Sequence, residues 1–243
     1  MNPIRLPLLT LMAAAMLAGC SQQADQQPSA AEQAQSEAAQ KQADAARKLD
    51  SYRQLLKQGN DEMTVLMGQD IVQRFADTDA AKEVQQTLPA IEQRFKENRE
   101  KARLSALWLY QVSPMAGGTQ STATIYSTLP SGNDRVRLVL RRHTEWGQNA
   151  FLYGSGRGFV CKGNCTINAT VDGKASGIKG FAPTTGEPAI MIRDDKAFIA
   201  TLQKAKKITL DVTTKDDNKK ETLVYEVGGF DPTKWQPVSG KKK

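Results

Sequence analysis

The spacing of apolar residues changes once along this 243-residue chain, and that change constrains the fold more than any other feature. Between residues 48 and 105 the large apolar residues recur every three or four positions, as Met63, Met67 and Ile71 do. From Leu107 onward they alternate with polar residues. The first spacing is that of an amphipathic helix, and the second is that of a strand with one buried face. The sequence therefore predicts an α+β protein in which a short helical region precedes an antiparallel sheet.

The predicted sheet belongs to a β-rich domain over residues 106–243. In residues 135–141 the even-numbered positions are apolar and should face the core, while the charged positions 135, 137 and 141 should face water. Asp194 and Asp195 predict the start of one helix, with Phe198 and Leu202 on its inner face. The strands are expected at residues 108–112, 122–129, 135–141, 149–153, 158–161, 166–171, 188–193, 207–213 and 222–227. Roughly eight strands and one helix are typical of an antiparallel β-sandwich or open barrel.

The helical region, residues 48–105, is expected to hold about three helices. Residues 59–60 are Gly-Asn and break the first apolar stripe, so that Asp61 can cap the second helix. Residues 77–79 open the third segment. Pro89 lies inside its stripe, where it either starts a new helix or kinks one that continues.

Residues 20–47 precede these helices and are rich in Ala and Gln, with no large apolar side chain. Such a composition buries too little surface to offset the entropy of ordering a chain. We expect a flexible tether over residues 21–29 and a helix-prone stalk from Ala30.

The N-terminus starts with one positive charge, Arg5, followed by an apolar run over residues 6–17. A run of about a dozen residues is too short to span a bilayer, which needs about 20, and it matches a secretory signal peptide. Leu17-Ala18-Gly19-Cys20 then resembles the lipobox of bacterial lipoproteins. The resemblance implies that residues 1–19 are removed and that Cys20 carries diacylglycerol and an N-acyl chain such as palmitate. The alternatives are an uncleaved membrane anchor or an ordinary signal with a chance cysteine.

Two or more lipid chains hold a protein stably on a membrane, so an acylated Cys20 needs no second membrane-binding element. Ser21 follows the cysteine. In the sorting that the lipoprotein resemblance implies, Asp at this place retains the protein in the inner membrane and Ser permits transfer outward. We therefore expect the periplasmic face of the outer membrane, with the inner membrane or the cell surface as alternatives.

The distribution of charge changes at the same place in the chain as the spacing of apolar residues. Residues 20–104 carry a net charge of −2 and residues 105–243 a net charge of +8, and 12 of the 15 aromatic residues lie in the second part. A basic domain in the envelope suits an envelope protein or an anionic envelope polymer as partner. Ordinary solvated lysines, including the tail Lys241–Lys243, are the alternative. Nucleic acid is excluded because an exported protein does not meet it and the basic residues are scattered.

Cys161 and Cys165 flank Lys162-Gly163-Asn164. Gly163 and Asn164 both tolerate the backbone conformation of a tight turn. Facing residues of an antiparallel hairpin lie close enough for a disulfide, which an oxidising compartment permits. A redox pair or a metal site is the alternative. Zinc would need two further ligands, and His143 is the only histidine of the chain. The sequence predicts a structural disulfide and no metal site.

No motif names a reaction. Residues 154–158, Gly-Ser-Gly-Arg-Gly, lack the Lys-Ser/Thr pair and the strand-to-helix order of a phosphate loop. His143 has no nucleophile beside it in the sequence, although Glu145 follows closely. We therefore expect no catalytic residue and no cofactor apart from the lipid on Cys20. A cell-wall hydrolase using His143 or Glu145 is the alternative.

The order of features from Cys161 to Trp235 resembles one known domain. A Cys-loop-Cys hairpin is followed by an Asp-led helix containing residues 198–202, Phe-Ile-Ala-Thr-Leu, and then by a hairpin and Gly229-Phe230. This order resembles the periplasmic β-sandwich domain of the invasion-associated locus B family and of some type VI secretion accessory proteins. It covers about 75 residues, and it implies a non-enzymatic periplasmic module.

Arginines and aromatic residues gather in the middle of the β-rich domain, and such residues dominate binding hot spots. The sequence predicts a membrane-anchored envelope lipoprotein whose β-domain binds an envelope partner, in an assembly, inhibitor or immunity role. A structural spacer between membrane and peptidoglycan is a further alternative. The candidate binding residues are Arg141, Arg142, Trp146, Tyr153 and Arg157.

Overall fold

The computed structural model describes residues 29–239 and contains a helical region followed by a sheet. The first three helices are α1 (Ala30–Lys57), α2 (Asp61–Arg74) and α3 (Asp79–Ala106). The predicted signal peptide, Cys20, the tether up to residue 28 and the lysine tail at residues 241–243 lie outside the described residues. Within residues 29–239 no helix is long and apolar enough to cross a membrane.

Each of these helices begins at a side chain that accepts a backbone N–H. Ser29 and Glu32 form a reciprocal capping box at α1. Asn60 caps α2 by accepting the Met63 N–H at 3.1 Å, so the cap lies one residue before the predicted Asp61. Thr78 caps α3 in the same way. Short polar side chains satisfy N–H groups that the first helical turn leaves free.

The stalk and the first core helix form a single element, α1, and the expected boundary between residues 47 and 48 lies inside it. Its residues 30–40 are all exposed, whereas Ala45, Leu49 and Tyr52 pack against α2 and α3. Pro89 lies inside α3, which continues as one helix to Ala106. The helices share one apolar core that is separate from the core of the sheet.

The sheet contains nine strands, all paired antiparallel, in the spatial order 1-2-3-4-7-6-5-8-9. Its last strand also exchanges backbone hydrogen bonds with the segment after the second strand, from Thr128 N to Val224 O and from Val224 N to Leu129 O. The sheet therefore curls into an open barrel around one core. The predicted α+β class, with an antiparallel sheet after the helices, is confirmed. The strands are β1 (Trp108–Met115), β2 (Gly118–Tyr126), β3 (Arg137–His143), β4 (Gly147–Tyr153), β5 (Asn164–Val171), β6 (Lys174–Phe181), β7 (Ala189–Ile192), β8 (Ile208–Thr213) and β9 (Lys220–Tyr225).

One predicted strand is absent, one strand was not predicted, and others differ at their ends. The strand expected at residues 122–129 spans Gly118–Tyr126, and Val227, expected in the last strand, belongs to a 3-10 helix. Residues 158–161 form no strand, because only Phe159 makes a bridge, to Thr214. β6 was not expected, since it contains Gly177 and Gly180 and two lysines, all of low strand propensity. Tertiary packing requires the small residue at Gly180, where a Cβ atom would come within 2.6 Å of an Ile190 methyl carbon.

One helix, α4 (Asp195–Leu202), packs into the barrel core, as predicted. Asp194 caps it by accepting the Ala197 N–H at 3.1 Å, and Phe198 and Leu202 on its inner face are buried. The segment after β9 forms a 3-10 helix, Val227–Gly229, against the C-terminal end of α3. Trp235 then packs into the barrel core, and its indole N–H donates to the Ser121 carbonyl oxygen at 3.0 Å.

Candidate functional site

The outer face of the barrel carries a groove of about 690 Å³. Its floor is formed by β2, β3, β4 and β7, and the loop of residues 182–187 borders it. Trp146, in the turn between β3 and β4, stands at one end. Concave sites that bind small ligands typically have volumes of about 300–1,000 Å³. The groove is therefore large enough for a ligand or a short chain segment.

Strand alternation places the floor residues. Arg137, Val139 and Arg141 point outwards from β3, and Leu138 and Leu140 point into the core. The sheet register then sets their neighbours in the groove: Phe151 opposite Val139, and Met191 opposite Phe151.

The middle of the floor is apolar. Val139, Phe151 and Ala189 form a small buried cluster with Tyr153 and Met191 at its edge. This cluster lies on the outer face, where an ordinary solvated sheet face would carry polar residues. An apolar centre therefore separates the two outward-pointing arginines of β3, Arg137 and Arg141.

Arg141 is the most constrained charged residue of the groove. Its guanidinium carbon lies 4.9 Å from the ring centroid of Trp146 and 5.1 Å from that of Phe151. Its Nη2 donates to Asn149 Oδ1 at 2.9 Å, and its buried Nε has no hydrogen-bond partner within the described chain. A buried donor without an acceptor costs free energy. Because Nε is shielded from solvent, an anion could pair only with the terminal N–H groups of this guanidinium.

The electrostatics of the groove are dominated by unpaired positive charge. Burial lowers the pKa of the Arg141 guanidinium, and the carboxylate of Glu187 acts weakly in the opposite direction. Glu187 itself accepts a hydrogen bond from the Thr185 hydroxyl, which is the main reason why the pKa of its carboxyl is lowered. No ion pair within residues 29–239 includes Arg137 or Arg141. Both guanidinium groups are therefore available to an anion.

Arg137 occupies the opposite end of β3 from Arg141. Its guanidinium carbon lies 4.5 Å from the ring centroid of Tyr153, which faces it across the pair of strands. A guanidinium stacked on a ring keeps its N–H edges for acceptors in its own plane. The groove thus presents two ring-supported guanidinium groups.

His143 holds Trp146 in place. The two rings stack with centroids 3.9 Å apart. The Nδ1 of His143 accepts the backbone N–H groups of Glu145 and Trp146, and its Nε2 lies 2.9 Å from the Met115 carbonyl oxygen. The Trp146 ring thus lies against His143 and supports the Arg141 guanidinium, while the side chain stays 46% exposed.

The structure brings together three of the five predicted binding residues, Arg141, Trp146 and Tyr153. It does not bring Arg142 and Arg157 to the groove. The guanidinium carbon of Arg142 lies 3.8 Å from the Trp235 ring centroid, and its Nη1 donates to the Trp235 carbonyl oxygen at 2.7 Å. Arg157 forms an ion pair with Asp216 at 2.7 Å.

Several groove residues were not among the predicted ones, notably Arg137, Val139, Phe151 and Glu187. The alternation of residues 135–141 could have identified the first two, because it places odd-numbered positions together on the outer face. Glu187 could not be identified from a local pattern, since it reaches the groove only through the pairing of β4 with β7.

The predicted disulfide between Cys161 and Cys165 is confirmed, with Cα atoms 5.4 Å apart. Its setting differs from the expected hairpin, since Cys165 belongs to β5 and Cys161 lies in the non-strand segment before it. Gly163 between them has φ of +70°, a value that favours glycine. The bridge lies outside the groove and closes a short loop.

Among residues 29–239 no cluster of three or more His, Cys, Asp or Glu side chains could hold a metal ion. No protein-family model, no curated protein and no solved structure matches the chain. The groove and its chemistry therefore carry the functional argument.

Proposed function

We propose that the protein is a lipid-anchored envelope lipoprotein whose barrel binds an envelope partner, without catalysis, through the outer groove. The observation that carries the proposal is Arg141, a half-buried guanidinium that lies over two rings and forms no ion pair within residues 29–239. A partly desolvated cation without an ion-pair partner costs free energy, and an anionic group of a partner would offset that cost.

The anchor is the second part of the proposal. Leu17-Ala18-Gly19-Cys20 supports signal removal, diacylglycerol and palmitate on Cys20, and delivery to the periplasmic face of the outer membrane. Mass spectrometry of the N-terminal peptide from the native envelope tests this directly. A triacylated Cys20 is the expected result, with loss of lipid and of processing in Cys20→Ala. An unmodified peptide beginning upstream of Cys20 would overturn the anchor.

The partner-binding part is tested by crosslinking the tagged full chain in its native envelope. Arg137→Gln combined with Arg141→Gln should remove the crosslink to the partner, because both groove cations are lost. The control, Lys174→Gln combined with Lys196→Gln, removes the same charge at exposed positions outside the groove and should leave the crosslink unchanged. Equal crosslinking of both double variants and the parent would reject the groove as the binding site.

A spacer role has one observation in its favour. α1 has 28 residues, which corresponds to about 42 Å of helix, and its residues 30–40 are exposed. If the distance of the barrel from the membrane is the essential property, deleting residues 30–40 should impair the protein's function in the native strain more than Arg141→Gln does. The opposite order of effects favours partner binding.

A further inference from the structure

We propose that the ligand of the groove is a short extended peptide segment of a partner protein, with two acidic side chains four residues apart and an apolar side chain between them. This inference rests on the function proposed above and specifies the chemistry of the partner at that site. It follows from the spacing of Arg137 and Arg141, from the apolar centre of the floor and from the polar residues that line the rest of the groove.

The spacing comes from β3. Arg137 and Arg141 point from the same face of one strand and are four residues apart, which corresponds to about 13 Å along the strand. In an extended ligand, side chains at positions i and i+4 also share one face and are separated by the same distance. A segment aligned with β3 can therefore place one carboxylate at each guanidinium.

The nature of the two anionic groups follows from the guanidinium settings. Arg141 is stacked on Trp146 and Phe151, and Arg137 on Tyr153, so each presents planar N–H edges. This geometry matches the two oxygens of a carboxylate in bidentate pairing. The net charge of +8 over residues 105–243 further favours the approach of an acidic segment.

The middle position follows from the floor. Val139 is only 7% exposed and Phe151 9%, although both belong to the outer face of the sheet. An apolar side chain at position i+2 of the ligand would lie over this cluster and bury mainly its own apolar surface, because Val139 and Phe151 are already covered. A charged side chain there would be desolvated without a partner.

The polar part of the lining favours a peptide over an acyl chain. Uncharged hydrogen-bonding side chains lie beside the apolar part of the floor on β1 and β2 and on the bordering loop: Gln111, Gln120, Thr122, Thr124, Thr184 and Thr185. Backbone amides of an extended segment can donate to and accept from these groups. A hydrocarbon chain would cover them without supplying partners, which costs free energy.

The test uses the full chain in phosphatidylcholine nanodiscs, titrated by isothermal calorimetry with synthetic blocked peptides. The probe is acetyl-Glu-Thr-Val-Thr-Glu-amide. Its analogues replace either Glu by Gln, shift the second Glu to position i+2, or replace Val by Asp. We expect the probe to bind, and each analogue to bind about tenfold more weakly or worse. The Gln and shifted analogues lose or misplace a charge-assisted pair, and the Asp analogue places an unpaired charge over the apolar floor.

The variants Arg137→Gln and Arg141→Gln assign each carboxylate to its arginine. In each variant, replacing one particular Glu of the probe by Gln should have no further effect, while replacing the other should still weaken binding. Circular dichroism and the urea midpoint establish that both variants are folded. Arg141→Lys, which keeps the charge but not the fork of donors, should bind the probe more weakly than the parent.

Three outcomes would overturn the peptide assignment. Equal binding of the i+2 and i+4 peptides removes the spacing argument. Binding of dodecyl phosphate that depends on Arg141, with no binding of the probe, would make the ligand an anionic amphiphile. Absence of probe binding while the envelope crosslink still depends on Arg137 and Arg141 would reject the peptide and retain the proposed function. Loss of that dependence in the envelope rejects the proposed function itself.

Discussion

Arg141 and Arg142 are neighbours in the chain and lie on opposite faces of β3. Arg141 lies on the outer face with a buried N–H group that has no partner among the described residues. Arg142 lies on the other face, stacked on Trp235 and donating to its carbonyl oxygen. Both guanidinium groups lie over aromatic rings and donate one hydrogen bond, so the unpaired Nε of Arg141 is the difference that costs free energy.

Leucine substitutions at these two positions separate the roles. Arg141→Leu should change the free energy of unfolding by less than about 1 kcal/mol, because the loss of the hydrogen bond to Asn149 and of the ring contacts offsets the removal of a partly buried charge. Arg142→Leu should lower it by about 1–2 kcal/mol, because its hydrogen bond and its stacking on Trp235 are lost. Urea unfolding followed by tryptophan fluorescence measures both values. A larger loss in Arg141→Leu than in Arg142→Leu would show that Arg141 is a structural residue.

At the scale of elements, the junction between α3 and the barrel determines how the two parts of the chain are joined. The 3-10 helix Val227–Gly229 packs against the end of α3 so closely that a Cβ atom on Gly229 would overlap the backbone of Leu104 and Ser105. Arg103 on α3 adds an ion pair to Glu226, with Nη2 2.7 Å from the carboxylate. Backbone packing and one ion pair therefore meet at a single junction.

Alanine at the two adjacent glycines tests the packing. Gly229→Ala should lower the free energy of unfolding by about 1–3 kcal/mol, because the backbone of α3 must move. Gly228→Ala is the matched control, since its Cβ would meet Lys206 Cα at 3.4 Å and Leu104 Cδ1 at 3.5 Å, which are ordinary contacts. It should be neutral or slightly stabilising. Equal effects in urea unfolding would show that α3 does not dock through Gly229.

The ion pair gives the junction a pH dependence. The hydrogen bond from Arg103 lowers the pKa of the Glu226 carboxyl below its ordinary value, so the pair stabilises the fold above the unfolded pKa of about 4.3. That contribution is lost as pH falls through the lower folded pKa. Since both side chains are partly exposed, it is worth at most about 1 kcal/mol.

Glu226→Gln isolates this pair from the other carboxylates. At pH 7 the parent should be the more stable by up to about 1 kcal/mol, and the difference should shrink as pH falls below about 4. Urea unfolding of both proteins across the pH range gives the difference directly. A difference that stays constant with pH would contradict a charge-based contribution.

At the scale of the whole molecule, the sequence predicts the elements better than it predicts the site. The change of spacing near Leu107 predicts the order of helices and strands, because periodicity is a local property. The sequence does not predict β6, because its glycines and lysines have low strand propensity. Packing against Ile190 requires the glycine at position 180, and no local pattern indicates that contact. Arg142 was predicted as a binding residue together with Arg141 because the two are adjacent in sequence. Strand alternation, however, places their side chains on opposite faces of β3.

The groove depends on contacts that no local pattern encodes. Loop residues such as Pro183 and Glu187 reach it only because β7 pairs with β4 across 35 intervening residues, from Tyr153 to Ala189. Val139 on the outer face was the one local signal of a covered surface, because a solvated face would have a polar residue there. The predicted arginines and aromatics indicated the region, and the register determined the site.

The most direct test of the groove is site-specific photocrosslinking in the native envelope. p-Benzoylphenylalanine is placed at Thr124, inside the groove, or at Thr166, exposed on β5 outside it. We expect ultraviolet light to join the Thr124 variant to one partner protein, in a region holding two acidic residues four apart, and to leave the Thr166 variant unjoined. Addition of Arg141→Gln should remove the product. Crosslinks from both positions to the same partner, or a Thr124 crosslink that survives Arg141→Gln, would contradict recognition through the groove.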